Sequence, residues 1–232
     1  VSILLLRSGD DDLPELPEDV ELVRTHDLHP RAEGIAEAER VPPEGTWLLV
    51  SSRVTVRVMP PAFFARPFAR TLVSGAETAS ALKRAGVSRV DVPERPGAAG
   101  MLELVTRRAT RILWPRGSDA DPAPVEALFA RGIEAIAPVV YEKSPRPALD
   151  PAVLSRVAAG DYGGIAVSSL AALDVLLASL SAARLAPHPS LRWGVIGPES
   201  ARAFERYSLP RPLVPEKPRL PDLLEDLRKA SA

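Results

Sequence analysis

Apolar runs of about five residues alternate along this chain with stretches in which apolar positions recur every three or four residues. The runs are SILLL (2–6), VELVR (20–24), TWLLVSS (46–52), TLVSG (71–75), RVDVP (89–93), RILWP (111–115), IEAIAPVVYE (133–142), GGIAVSS (163–169), RWGVIG (192–197) and RPLVPE (211–216). Their length and β-branched content read as strands. The stretches between them, such as PAPVEALFARG (122–132) and SLAALDVLLASL (169–180), read as amphipathic helices. Strands that are apolar at consecutive positions have two faces to bury. The alternation therefore predicts an α/β chain of parallel sheets covered by helices on both sides, with right-handed βαβ connections. Proline falls between these elements, at Pro42, Pro43, Pro60, Pro61, Pro145, Pro147, Pro210 and Pro212, where a missing N–H costs little. Two polar, proline-bearing stretches, THDLHPRAEG (25–34) and YEKSPRPALDP (141–151), read as linkers on either side of a central block.

One pattern occurs twice. WLLVSS (47–52) is followed by LVSGAETASAL (72–82), and GIAVSS (164–169) is followed by VIGPESARAF (195–204). A strand ending in Ser-Ser, then a strand ending in Gly-x-x-Thr/Ser-Ala, in the same order, suggests two homologous α/β halves. The chemistry of the repeat is that of oxygen recognition. Gly75 and Gly197 permit a tight turn and close approach of a ligand to the backbone. Thr78 and Ser200 fall in the first helical turn, where a hydroxyl caps the helix or bonds a ligand oxygen. Ser51, Ser52, Ser168 and Ser169 add hydroxyls at strand ends. Helix N-termini attract anions, and open α/β sheets bind ligands beyond the carboxyl ends of their strands. Two halves facing one another would surround one cleft with donors. For each hydroxyl taken alone, structural capping is an equal explanation.

Composition narrows the partners. The chain has 232 residues, enough for two domains of roughly 100 to 130 residues. Its formal net charge of -1 leaves no overall basic field for nucleic acid. The absence of cysteine removes disulfides and thiolate chemistry. His26, His29 and His188 lack zinc-ligand spacing, Asp10 to Asp12 read as a solvated turn, and no metal site is expected. No nucleotide-binding glycine motif or nucleophile elbow occurs. No apolar run reaches membrane length, and the start is too short for a signal peptide, so the expectation is a soluble, cytoplasmic protein. Tyr141, in PVVYEKSP, stands where the central block returns to the flanking one. A phenol there could bond a substrate oxygen or act as a general acid.

Seven segments in order, LLLR (4–7), VSS (50–52), GAETA (75–79), ILWPRG (112–117), APVVYE (137–142), AVSSLAAL (166–173) and IGPESA (196–201), resemble the uroporphyrinogen-III synthase family across nearly the whole chain. Both strand-end pairs are Ser-Ser where the family has Thr-Ser, and Ser200 replaces a threonine. The resemblance implies two flavodoxin-like parallel-sheet domains joined by a two-stranded connection: 1–32 plus 141–232, with 33–140 inserted. It implies a cofactor-free carbon–oxygen lyase of haem biosynthesis. Hydroxymethylbilane would close to uroporphyrinogen III with ring D inverted and water lost. The substrate is a polycarboxylate, which suits a site of helix starts, hydroxyls and arginine. Arg7, Ser51, Ser52, Gly75, Thr78, Ser168, Ser169, Gly197 and Ser200 are the expected binding residues, and Tyr141 the expected catalytic one. A monomer is expected, without nucleic-acid or membrane partners. The alternative is a diverged, non-catalytic binder of an anionic tetrapyrrole or other polycarboxylate.

Overall fold

The computed structural model describes residues 2–9 and 15–231; Asp10, Asp11 and Asp12, read above as a turn, lie outside them. In chain order the elements are β1 (Ser2–Arg7), β2 (Val20–Arg24), β3 (His26–Pro30), α1 (Ala32–Arg40), β4 (Thr46–Val50), α2 (Arg53–Val58), α3 (Pro61–Phe64), β5 (Arg70–Val73), α4 (Ala76–Arg84) and α5 (Ala98–Glu103). There follow β6 (Arg111–Leu113), β7 (Arg116–Gly117), α6 (Ala123–Ala130), β8 (Glu134–Ile136), β9 (Val139–Pro145), α7 (Pro151–Ala159), β10 (Tyr162–Val167), α8 (Leu170–Ala182), β11 (Arg192–Val195), α9 (Pro198–Phe204) and α10 (Leu220–Ser231). The chain divides into two compact units, unit 1 of residues 1–27 and 144–232 and unit 2 of residues 28–143.

Each unit is built on a four-stranded parallel sheet, in the order β11-β10-β1-β2 in unit 1 and β5-β4-β6-β8 in unit 2. Consecutive apolar residues go to opposite faces. In unit 1, Leu4, Leu6, Ile165, Val167 and Trp193 pack with Leu154, Leu173 and Phe204 of the helices, while Ile3, Leu5 and Ala166 pack with Leu223, Leu224 and Leu227 of α10. In unit 2, Leu48, Val50, Val73 and Leu113 meet Val54, Phe63 and Leu82. On its other face, Trp47, Leu49, Leu72 and Ile112 meet Met101 and Leu128. This two-sided burial is the physical reason for the parallel architecture.

The registers of the two sheets correspond pair for pair. Val50 lies opposite Val73 where Val167 lies opposite Val195. Leu113 stands between Leu48 and Ile136 where Leu4 stands between Ile165 and Glu21. The runs 89–93 and 211–216, expected as strands, are reduced to one bridge each, Leu72 to Asp91 and Gly194 to Leu213. Both bridges sit beyond the same edge of equivalent sheets. Two prolines flank Leu213 and one follows Asp91 closely, so the donors needed for a longer ladder are missing.

The two stretches read as linkers are not loops. About half of each is strand, and β3 and β9 are neighbours in a three-stranded sheet with β7. The Arg31 N–H donates to Val140 O at 2.9 Å, and the Arg146 N–H donates to Thr25 O at 2.9 Å. One number rises as its partner falls, which is antiparallel register. An ion pair accompanies each bond: Arg31 with Glu142 at 2.9 Å in unit 2, and Arg146 with Asp27 at 3.0 Å in unit 1. The first half of β9, 139–142, falls within the strand expected at 133–142, and Val140 and Tyr141 do join the unit 2 core. It is the polar remainder, His26–Pro30 and 143–145, that looks like linker in the sequence.

Glycine sets how closely helices lie on the sheets. A Cβ on Gly34 of α1 would stand 1.9 Å from the Val139 carbonyl oxygen, a backbone atom. One on Gly194 would meet the Leu223 Cδ1 at 2.6 Å, the end of a side chain that can turn aside. Gly34→Ala should therefore destabilise the chain by about 3 kcal/mol or more, against the usual preference of helices for alanine. Gly194→Ala should cost on the order of 1 kcal/mol. Urea unfolding of the two variants tests this ranking; equal costs would contradict it.

Candidate active site

In each sheet the chain runs outward in two directions from one central pair of strands, β4 and β6 in unit 2 and β10 and β1 in unit 1. The strand ends at such a reversal leave a crevice, the usual binding place of open α/β sheets. The Ser-Ser pairs and Arg7 lie at these crevices.

Within each Ser-Ser pair the labour is divided. Ser52 caps α2, its hydroxyl oxygen accepting from the Val54 N–H at 3.1 Å. Ser169 caps α8, accepting from the Ala172 N–H at 3.3 Å and donating to the Ser8 Oγ at 2.8 Å. The second serine is thus the structural one, and the first, Ser51 or Ser168, is not needed for the cap. Ser51 is held from two sides: the indole N–H of Trp114 donates to its Oγ at 3.1 Å, and the Ser74 hydroxyl donates to its carbonyl oxygen at 2.8 Å.

The glycine turns differ from the expectation. Gly75 (φ 174°) and Gly197 (φ -140°) have extended backbones that any residue adopts, so the turns themselves do not require glycine. What glycine leaves is room: a Cβ at Gly197 would meet nothing within 4 Å, and one at Gly75 only Pro96 at 3.9 Å. Thr78 and Ser200 are each the third residue of their helices, α4 and α9. Thr78 is 6% exposed, whereas Ser200 is half-buried. Arg53, first in α2, pairs with Glu77 of α4 at 3.3 Å.

Arg116 was not singled out as a site residue by sequence reasoning. It lies three residues beyond Leu113, as Arg7 lies three beyond Leu4; Arg116 stands opposite Val139 where Arg7 stands opposite Arg24. Both arginines are half-buried, with the Nε atom shielded from solvent. Arg116 also donates to the Ala120 carbonyl at 2.9 Å, which orients its guanidinium. The signal was present in the PRG of ILWPRG, but only the register equates it with Arg7.

Tyr141 is in β9, 3% exposed, in the unit 2 core beside Val140 and Ile136. Its ring lies against Gly117, where a Cβ would stand 2.6 Å from the ring edge. Lys143 Nζ sits 5.8 Å from the ring centroid and 3.3 Å from Asp119. The predicted residues thus form two sets, Arg7, Ser168, Ser169, Gly197 and Ser200 in unit 1, and Ser51, Ser52, Gly75, Thr78 and Tyr141 in unit 2. Each set lies at or beyond the C-terminal edge of its own sheet. Among the described residues no helix is long and apolar enough to cross a membrane, and no cluster of three or more His, Asp or Glu side chains could hold a metal ion.

A family model described as uroporphyrinogen-III synthase HemD matches residues 18–225. The chain belongs to the uroporphyrinogen-III synthase family. It is a lyase-type enzyme that cyclises hydroxymethylbilane to uroporphyrinogen III in haem biosynthesis. The fold agrees: uroporphyrinogen-III synthetase from Helicobacter pylori superposes with a TM-score of 0.67 at 13% identity, covering 98% of both chains. A mutant uroporphyrinogen III synthase from Thermus thermophilus superposes with a TM-score of 0.57 at 17% identity, covering 91% of this chain and 88% of that one. A comparison with curated proteins finds no match. In this chain an arginine stands three residues beyond equivalent positions of the two four-stranded sheets, Leu4 and Leu113, and seryl or threonyl hydroxyls stand at the ends of both.

The phenol whose proton is held far above its ordinary range is not at these edges. Tyr162 begins β10, at the opposite end of the unit 1 sheet. Burial raises its pKa first, and the bond its hydroxyl donates to Glu21 at 2.9 Å raises it further. Arg156 completes the group, 2.5 Å from Glu21 and stacked 4.3 Å over the ring. A phenol that binds its proton more tightly when folded adds stability that is complete below about pH 10 and is lost as pH rises beyond it. Stability measured by urea unfolding should fall more steeply above pH 10 in the parent chain than in Tyr162→Phe. Parallel curves would refute this.

Proposed function

We propose that Arg7, Ser168, Gly197 and Ser200 of unit 1 and Arg116, Ser51, Gly75 and Thr78 of unit 2 receive the carboxylates of hydroxymethylbilane, and that Tyr141 donates the proton with which its hydroxyl departs as water. The supporting observation is the duplication. A guanidinium, a serine outside the cap and an uncrowded helix start recur at equivalent registers of two sheets whose sequences are otherwise different. A fold needs one capping serine per turn, and here a second hydroxyl stands beside it both times. Guanidinium forks and helix starts suit carboxylates. A hydroxyl leaves poorly as hydroxide, so a positioned acid lowers the barrier to its departure. We also read both units as flavodoxin-like. The unit 1 order β2-β1-β10-β11, with the Leu213 bridge beyond, follows the flavodoxin arrangement; unit 2 has the same sheet entered at a different strand.

Removing the phenolic proton alone should lower turnover more than binding. Tyr141→Phe is expected to reduce kcat roughly 10- to 1000-fold with little change in KM. Thr78→Val and Ser200→Ala should mainly raise KM, each by about 1 kcal/mol of binding. Steady-state kinetics on freshly prepared hydroxymethylbilane tests both; an unchanged kcat in Tyr141→Phe removes it from the catalytic list.

The linear substrate closes unaided to the symmetric type I ring, so the enzyme must redirect a facile reaction by holding its reacting ends in place. The product should be mostly type III by chromatography, and rising salt should raise KM by screening the substrate's charges. Type I alone, formed at the uncatalysed rate by a chain that still binds tetrapyrrole, would favour the binding-protein alternative.

A further inference from the structure

Ser51 is fixed more completely than its counterpart Ser168, and the fixing group is a side chain with one hydrogen-bonding capacity. The indole of Trp114 can only donate. Its Nε1 lies 3.1 Å from Ser51 Oγ, so the serine oxygen is the acceptor, and the hydroxyl hydrogen is kept off that line. The main chain of the same serine is held at the same time: Ser74, the residue before Gly75, donates its hydroxyl to the Ser51 carbonyl oxygen at 2.8 Å, and the Ser74 carbonyl accepts the Gly97 N–H at 2.7 Å. Trp114 is 2% exposed and packed among Trp47, Leu49 and Ile112, so its N–H cannot swing to water. Ser51 is half-buried and still reachable.

We propose that Trp114 is a positioning residue that turns the Ser51 hydroxyl into a directed donor, aimed at an acceptor oxygen of the substrate. This rests on the reading that Ser51 touches the substrate. The class of acceptor follows from the polarity: a carboxylate oxygen only accepts, so it needs a hydroxyl whose hydrogen is free to point at it. A serine left to rotate would give up part of that bond in ordering itself; one already accepting from a rigid indole has less to lose. Unit 1 lacks the device. The residue matching Trp114 there, one beyond Leu4 as Trp114 is one beyond Leu113, is Leu5, which faces the same side of its sheet and has no donor. The two units therefore hold their first serines differently, one pinned and one not, which suits a substrate whose two ends are chemically unlike.

The test is a double-mutant cycle on the full chain with hydroxymethylbilane, following type III product. Ser51→Ala and Trp114→Phe should each raise KM about 3- to 10-fold, with kcat changed less than about 2-fold. The double variant should match Ser51→Ala alone, because the indole acts only through the serine. Should phenylalanine leave a cavity that prevents folding, 3-benzothienylalanine at position 114 keeps the fused ring and lacks only the N–H, and the same KM rise is expected. A parent-like KM at position 114 beside a raised KM in Ser51→Ala overturns the proposal while sparing the role of Ser51. KM effects that multiply in the double variant also overturn it, since Trp114 would then act through packing. A parent-like KM in Ser51→Ala removes Ser51 from the binding set, and the proposal falls with it.

Discussion

A strand with apolar side chains on both faces cannot lie at a surface, and most of this molecule follows from that constraint. Ile3 to Leu6, Trp47 to Val50 and Ile165 to Val167 are each sealed on two sides, so their neighbours must be parallel strands and their covers must be helices. Two strands of each layer, β4 and β5 in unit 2 and β10 and β11 in unit 1, end three residues before a helix begins. The polar ends of the elements then collect at or beyond one edge of each sheet, where that unit's Ser-Ser pair, glycine turn and arginine are found. The chemistry is placed by the packing requirement of residues that take no part in it.

Much of the fold was legible because burial writes itself into runs of apolar residues. The central strands were found almost to the residue. One failure has a plain cause: a hydrogen-bonded stretch of strand with mostly polar side chains has no apolar signature. β3 and the polar second half of β9 are held by backbone pairing and by Asp27–Arg146 and Arg31–Glu142, and in the sequence they look like loops, whereas the apolar first half of β9 reads as strand. The opposite error occurred at 89–93 and 211–216, where apolar residues suggested ladders that shrink to one bridge beside proline.

The candidate residues show the same division. The hydroxyls and turns were visible as a repeated motif, but their individual roles were not. Which serine of a pair caps the helix depends on one residue of register, and the assignment needed the bonds of Ser52 and Ser169. Arg116 and Arg7 have no sequence similarity around them, WPRG against LLRS, and only strand pairing equates them. Trp114 read only as part of the strand RILWP; that its N–H holds a serine depends on a contact 63 positions back along the chain. Tyr141 was singled out by its place in the chain, and its burial beside Gly117 was not foreseeable, because glycine records nothing of what leans on it.

The discontinuity of unit 1 also bears on synthesis. β1 emerges first, but its partner β10 follows about 160 residues later, after the whole of unit 2. At 5–20 residues per second, the apolar face that β1 will share with β10 waits roughly 8 to 30 seconds. Meanwhile unit 2, continuous in sequence, has all its strands available. The nascent chain thus has a natural order of folding, inserted part first, with the leucines of β1 as the segment most in need of shelter during translation.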